Sequence, residues 1–172
     1  MRIFTLRREQ TLPGAPGDVF PFFADARNLE AITPPLLKFA VVTPGEIAME
    51  VGTLIQYRLK VHGIGVDWLT SIQEWEPPVR FVDVQVRGPY ALWHHTHEFE
   101  AVDGGAATRM RDTVRYAIGF GPFGQLAARA FVHRDVAAIF EYRETAVLPA
   151  LSAGADGRQA VEDEVHAGQV AG

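Results

Sequence analysis

Apolar and polar residues alternate along most of this chain, and where the alternation stops a spacing of three and four takes over. Ile3–Leu12 sets Phe4 and Leu6 on one side and Thr5, Arg7 and Glu9 on the other, which predicts a strand. Pro13–Asp18 (PGAPGD) breaks it, with Pro16 placed to open a helix. Val19, Phe20 and Phe23 then mark a short amphipathic helix, and Ala26–Ile32 a further helical turn that Thr33-Pro34-Pro35 stops. Phe39–Val42 reads as a short strand. After Gly52, Ile55, Tyr57, Leu59 and Val61 alternate with Arg58, Lys60 and His62. His62–Gly65 makes a turn, and Val66, Trp68, Thr70 and Ile72 carry the next strand to Glu76-Pro77-Pro78. Phe81–Tyr116 supplies the remaining strands.

Gly119–Gly124 (GFGPFG) ends the alternation and reads as a hinge; no Lys-Ser/Thr follows it, so it is not a phosphate loop. From Pro122 to about Leu148, Phe123, Ala127, Ala130, Phe131, Ala137, Ile139, Phe140 and Val147 recur at helical spacing. A helix of roughly 26 residues would span about 39 Å, enough to cross a sheet. The order of elements predicts an α+β fold: a curved antiparallel sheet of about seven strands around a long C-terminal helix, with two short helices after the first strand. One domain covers 1–149. Residues 150–172 are small and acidic, and are expected to form a disordered tail.

Within Phe81–Tyr116 the face that should be apolar is polar. Trp93, His95, His97 and Phe99 share one parity of a strand. Asp103–Ala106 (DGGA) turns the chain, and Thr108, Met110, Asp112, Val114 and Tyr116 share the facing parity. Pairing Val102 with Ala107 sets His97 opposite Asp112 and Phe99 opposite Met110. The tighter Gly88-Pro89-Tyr90 connection leaves two registers for the strand before. In one, Asp83 faces His95 and Gln85 faces Trp93; in the other, Val82, Val84 and Val86 turn inward. Hydrophobicity favours the valines.

Imidazoles and carboxylates among Trp, Phe, Met and Tyr suit three roles: a paired buried network, a patch that orients a ligand, or acid–base or metal chemistry. His95 and His97 on an extended strand lack the helical spacing of familiar metal motifs, and no metal or cofactor is expected. Composition narrows the field. The chain has 172 residues, no cysteine, and a net charge of −5 without a basic run, which argues against a nucleic-acid partner. Arg109, Arg111 and Arg115 should face solvent. No apolar run is long enough for an integral membrane segment, and the expected compartment is cytoplasmic.

The chain also resembles the helix-grip fold of the START-like (SRPBCC) superfamily, which includes birch-pollen-allergen relatives, lipid carriers and polyketide cyclases. The likeness covers nearly all of Met1–Leu148. A closer similarity is to a bacterial ligand-binding branch related to polyketide cyclase/dehydrase-like proteins. It rests on Ile32-Thr33-Pro34-Pro35, Gly52, Tyr57, Trp68, Trp75, Phe81, Asp83, Gln85, Gly88-Pro89-Tyr90, Trp93, His95, His97, Phe99, Thr108, Met110, Asp112, Tyr116 and Pro122-Phe123-Gly124. This resemblance favours Asp83 and Gln85 inward. It implies a cavity between sheet and C-terminal helix that takes a small hydrophobic or amphipathic molecule. Trp68, Trp93, Phe99, Met110, Tyr116 and Phe131 are the expected apolar walls; Asp83, Gln85, His95, His97 and Asp112 are the expected polar contacts. Binding is the preferred reading. The alternatives are a cyclase, dehydratase or hydrolase using His95 or His97 with Asp112 or Asp83, and a non-catalytic interaction module.

Overall fold

A computed structural model describes the backbone of residues 1–119 and 131–170, and side chains as far as residue 153. Each alternating segment is a strand. The elements are β1 (Phe4–Pro13), α1 (Pro16–Ala24), 3₁₀ turns at Ala26–Glu30 and Pro35–Leu37, β2 (Ala40–Val41), β3 (Leu54–Val61), β4 (Ile64–Glu76), β5 (Arg80–Arg87), β6 (Leu92–Val102), a 3₁₀ turn at Asp103–Gly105, β7 (Ala107–Ala117) and α2 (His133–Val170). The expected helix start at Pro122 and most of Gly119–Gly124 lie outside the described residues.

The strands form one antiparallel sheet in the order β1-β7-β6-β5-β4-β3-β2. Every neighbour is also a chain neighbour except β1 and β7, whose pairing of Phe4 with Tyr116 through Pro13 with Ala107 joins distant segments. The hairpins obey local chemistry. His62 and Gly63 both have positive φ (50° and 82°), as a two-residue turn matching strand twist requires. At Asp103–Gly105 three successive positive φ values leave Val102 paired with Ala107. The register expected between β6 and β7 is therefore the one observed, with His97 opposite Asp112 and Phe99 opposite Met110.

Three apolar clusters attach the helices to the sheet. α1, opened by Pro16, buries Val19, Phe20, Phe22 and Phe23. Phe20 packs on Trp75, Phe81 and Phe99 at ring separations of 5.3, 5.8 and 5.1 Å. α2 lies against the sheet through Val136 and Phe140, which join Val114 and Tyr116, and through Val147, which joins the α1 cluster. It runs through Pro149 to Val170 instead of ending near Leu148. The neighbouring Ala, Leu, Arg, Gln and Glu are strong helix formers, so one proline removes a single i−4 hydrogen bond without ending the run. Arg109 and Arg111 pair with Glu9 and Glu100 on the outer face.

Candidate functional site

Between the sheet and α2 lies a cavity of about 910 Å³. Its walls are chiefly apolar, aliphatic side chains together with a group of aromatic rings. Trp68 of β4 and Trp93 of β6 meet edge to face at 5.1 Å, Tyr90 sits 4.9 Å from Trp93, and Phe39 lies 5.0 Å from Tyr57. One side of this apolar space is charged. Asp83, His95, His97 and Arg143 line it together.

Three adjacent strands deliver the polar set. Asp83 of β5 stands opposite His95 of β6, which resolves the register left open in the sequence in favour of Asp83 inward. His97 is the next residue of β6 on the same face, and Asp112 of β7 stands opposite it. The four side chains close a ring of contacts. His95 Nε2 donates to Asp112 Oδ1 at 2.9 Å, and His97 Nε2 donates to Asp83 Oδ2 at 2.9 Å. His95 Nδ1 is 3.4 Å from Asp83 Oδ2. His97 Nδ1 is 2.9 Å from Asp112 Oδ1 but too poorly aligned to form a hydrogen bond. Phe81 stacks on the His97 ring at 3.9 Å, and the Phe140 edge meets His95 at 5.4 Å.

Burial and charge then pull the groups apart. Burial, and next to it the His97 ring, push His95 below its ordinary value, so it favours the neutral form. Burial also pushes His97 down, but the Asp112 and Asp83 carboxylates outweigh it and raise His97 above its ordinary value. Burial would raise both carboxyls; contacts to the two histidines outweigh that and hold Asp83 and Asp112 below the usual range. The arrangement favours a proton on His97, between two carboxylates, over one on His95 beside it. Burial drives the Tyr57 phenol upward, with Asp83 adding to the rise, so it stays protonated.

Two further residues belong to this region. Arg143 of α2 is buried, lines the cavity, and lies 4.9 Å over the Phe140 ring. At the far end His62 Nε2 donates to Asp135 Oδ2 at 2.8 Å, linking the β3–β4 turn to α2 where both line the cavity. Sequence reasoning missed Arg143. Its only signal was a cationic residue three positions after Phe140 on an otherwise apolar helix face. For a metal ion, Asp83, His95 and His97 each offer one ligand atom within 4.8 Å of the others, with Asp112 behind both imidazoles.

The residues expected to contact a ligand divide into two groups. Trp68, Asp83, Trp93, His95 and His97 line the cavity. Phe99 and Met110 instead pack in the core with α1, because they sit nearer the closed end of the β6–β7 hairpin. Tyr116 packs with Phe4 and α2 and exchanges a 2.7 Å hydrogen bond with His133 Nδ1. Asp112 lies behind the histidines, outside the lining. Gln85 turns its amide to the Tyr90 backbone, donating at 2.7 Å and accepting at 3.2 Å. Phe131 is 62% exposed and lies outside the cavity lining, its ring 6.4 Å from His62.

No family model matches the sequence, and no curated protein matches it. Solved structures do match the fold. An aromatase/cyclase (ZhuI) from a Streptomyces species superposes with a TM-score of 0.70 at 15% identity, covering 88% of this chain and 94% of that one. The fold is helix-grip. The Thermus thermophilus protein TTHA0849 shares it with a TM-score of 0.64 at 24% identity, over 88% of this chain and 99% of that one. Ara h 8.0201 shares it with a TM-score of 0.59 at 18% identity, over 86% and 99%. The helix-grip arrangement, a curved sheet closing on a C-terminal helix, is the START-like architecture expected from the sequence. No described helix is long and apolar enough to cross a membrane.

Proposed function

We propose that this helix-grip protein binds a small lipophilic molecule in the cavity between its sheet and α2. One observation carries the reading: a mostly apolar cavity of about 910 Å³ gathers Asp83, His95, His97 and Arg143 on one side. Such a site takes its affinity from apolar contact, at about 25 cal/mol per Å² less association costs, and its orientation from a few polar groups. Native mass spectrometry of gently purified protein, followed by extraction, tests it. The expected result is a mass increment from a non-covalent lipophilic molecule, or saturable binding from a lipophilic panel. Protein that carries nothing and binds no member of the panel rules the reading out.

A second reading is enzymatic, favoured by the His95–His97 pair beside the cavity and by the fold shared with an aromatase/cyclase. In a dehydration, His95 would take a proton from the carbon next to a carbonyl. The β-hydroxyl would leave with a proton from imidazolium His97, forming a C=C bond and one water. Incubation with β-hydroxy ketones, followed by mass spectrometry, expects loss of water. No turnover across such a panel would leave binding as the sole activity.

A further inference from the structure

Arg143 is a buried arginine on the cavity wall, and its guanidinium has no acceptor among the described residues. The residue is 8% exposed, its Nε is buried without a hydrogen-bond partner, and it makes no ion pair or side-chain hydrogen bond among the described residues. An arginine carries five N–H donors and stays charged, so burying it unpaired is costly unless something else supplies acceptors. Burial lowers the hold of Arg143 on its proton, Asp112 and Asp83 partly offset this, and the Tyr57 hydroxyl likewise makes no hydrogen bond among the described residues. Arg143, Tyr57 and Asp83 all border the cavity, so a molecule held there lies beside the guanidinium.

Charge counting selects the chemistry of that acceptor. Asp83 and Asp112 contribute two negative charges and Arg143 one positive. The two carboxylates therefore outnumber the one guanidinium. A ligand carboxylate would add another negative charge in a poorly solvated place, where unbalanced charge is expensive. A ketone or quinone oxygen accepts the guanidinium donors and leaves the charge unchanged. Trp68, Tyr90 and Trp93 pack on one another as a single aromatic cluster in the cavity wall, a surface that suits a flat aromatic body. We infer that Arg143 anchors the neutral carbonyl oxygen of an aromatic ligand whose ring system lies against the Trp68–Tyr90–Trp93 cluster. This inference rests on the binding function proposed above.

Three matched naphthalene probes test it: prodan, which is a dimethylaminonaphthalene ethyl ketone, the corresponding dimethylaminonaphthoate, and dimethylaminonaphthalene itself. Binding is followed by probe fluorescence. The ketone is expected to bind about tenfold more tightly than either analogue, the worth of one charge-assisted hydrogen bond. Arg143→Met should bring the ketone down to the affinity of the plain hydrocarbon and shift bound prodan emission to the blue, because its carbonyl loses a donor. The hydrocarbon should bind the variant as it binds the parent protein. If it does not, the cavity has changed, and Arg143→Lys, which keeps the charge but loses the planar fork, replaces Arg143→Met in the comparison. A naphthoate that binds more tightly than the ketone overturns the inference. So does unchanged prodan affinity and emission in a variant that retains hydrocarbon binding. Failure of all three probes to bind the parent protein counts against the binding function itself.

Discussion

Two imidazoles with ring centres 3.7 Å apart between two carboxylates are shifted in opposite directions, and stability should show it. His97 holds its proton more tightly when folded, so its contribution is complete below the unfolded value of about 6.5 and is lost as pH rises through the folded value. His95 releases its proton more readily when folded, so stability is lost as pH falls from about 6.5 through that lower value. Asp83 and Asp112 contribute above about pH 3.9, and that contribution is lost only as pH falls through their depressed values. The urea midpoint is therefore expected to peak near pH 6.5. His97→Gln should flatten the alkaline side of the profile and His95→Gln the acid side; a parent profile without either slope would contradict this account. Asp112→Asn removes one partner of a buried charged set and should cost about 3 kcal/mol in urea denaturation at neutral pH. At this scale the His97–Asp112 pairing was legible because one turn, Asp103–Ala106, sets it. Asp83 was not, because Val82, Val84 and Val86 make an equally good strand face and the pattern alone cannot choose.

Among the elements, the β5–β6 connection shows how a ligand-wall residue can be recruited for structure. Gln85 clasps the backbone of Tyr90, and a Cβ at Gly88 would collide with the Gln85 amide. Gly88→Ala should release that clasp, lower stability by about 1–3 kcal/mol, and change tryptophan emission, since Tyr90 packs on Trp68 and Trp93. Unchanged emission and stability would show that the clasp is dispensable. The seat of α2 is tested by Val147→Ala, which empties a fully buried position and should cost about 2 kcal/mol with the helix content retained by circular dichroism. Strand positions were readable from alternation throughout, because each strand buries one face. Helix length was less readable. Pro149 looked like a stop, yet the residues around it favour helix strongly enough to carry α2 past it.

Across the whole molecule the fold was legible and the site only half so. Element order alone leads to a sheet closing on a terminal helix, but no strand pattern announces a cation arriving from a distant helix, and Arg143 lies beyond Asp112 in sequence by more than any hairpin spans. A protein holding a cavity of this size should gain stability from a filled one. A ligand at a hundred times its Kd contributes about 2.7 kcal/mol, expected to raise Tm by roughly 5–10 °C in a chain of this length. A ligand with no effect on Tm at that concentration would show that it does not bind the folded state in preference to the unfolded one. The pairing order has a different consequence, for the timing of assembly. Asp83, His95, His97 and Asp112 lie on β5, β6 and β7, three strands joined by successive short turns, whereas β1 must find β7 from Phe4–Pro13 to Ala107–Tyr116, far apart in the chain. Contacts local in sequence form with little loop-closure entropy, and distant ones wait. The charged ring is therefore expected to assemble early, on a partly open sheet still reached by water, and to become desolvated only when β1 and α2 close over it.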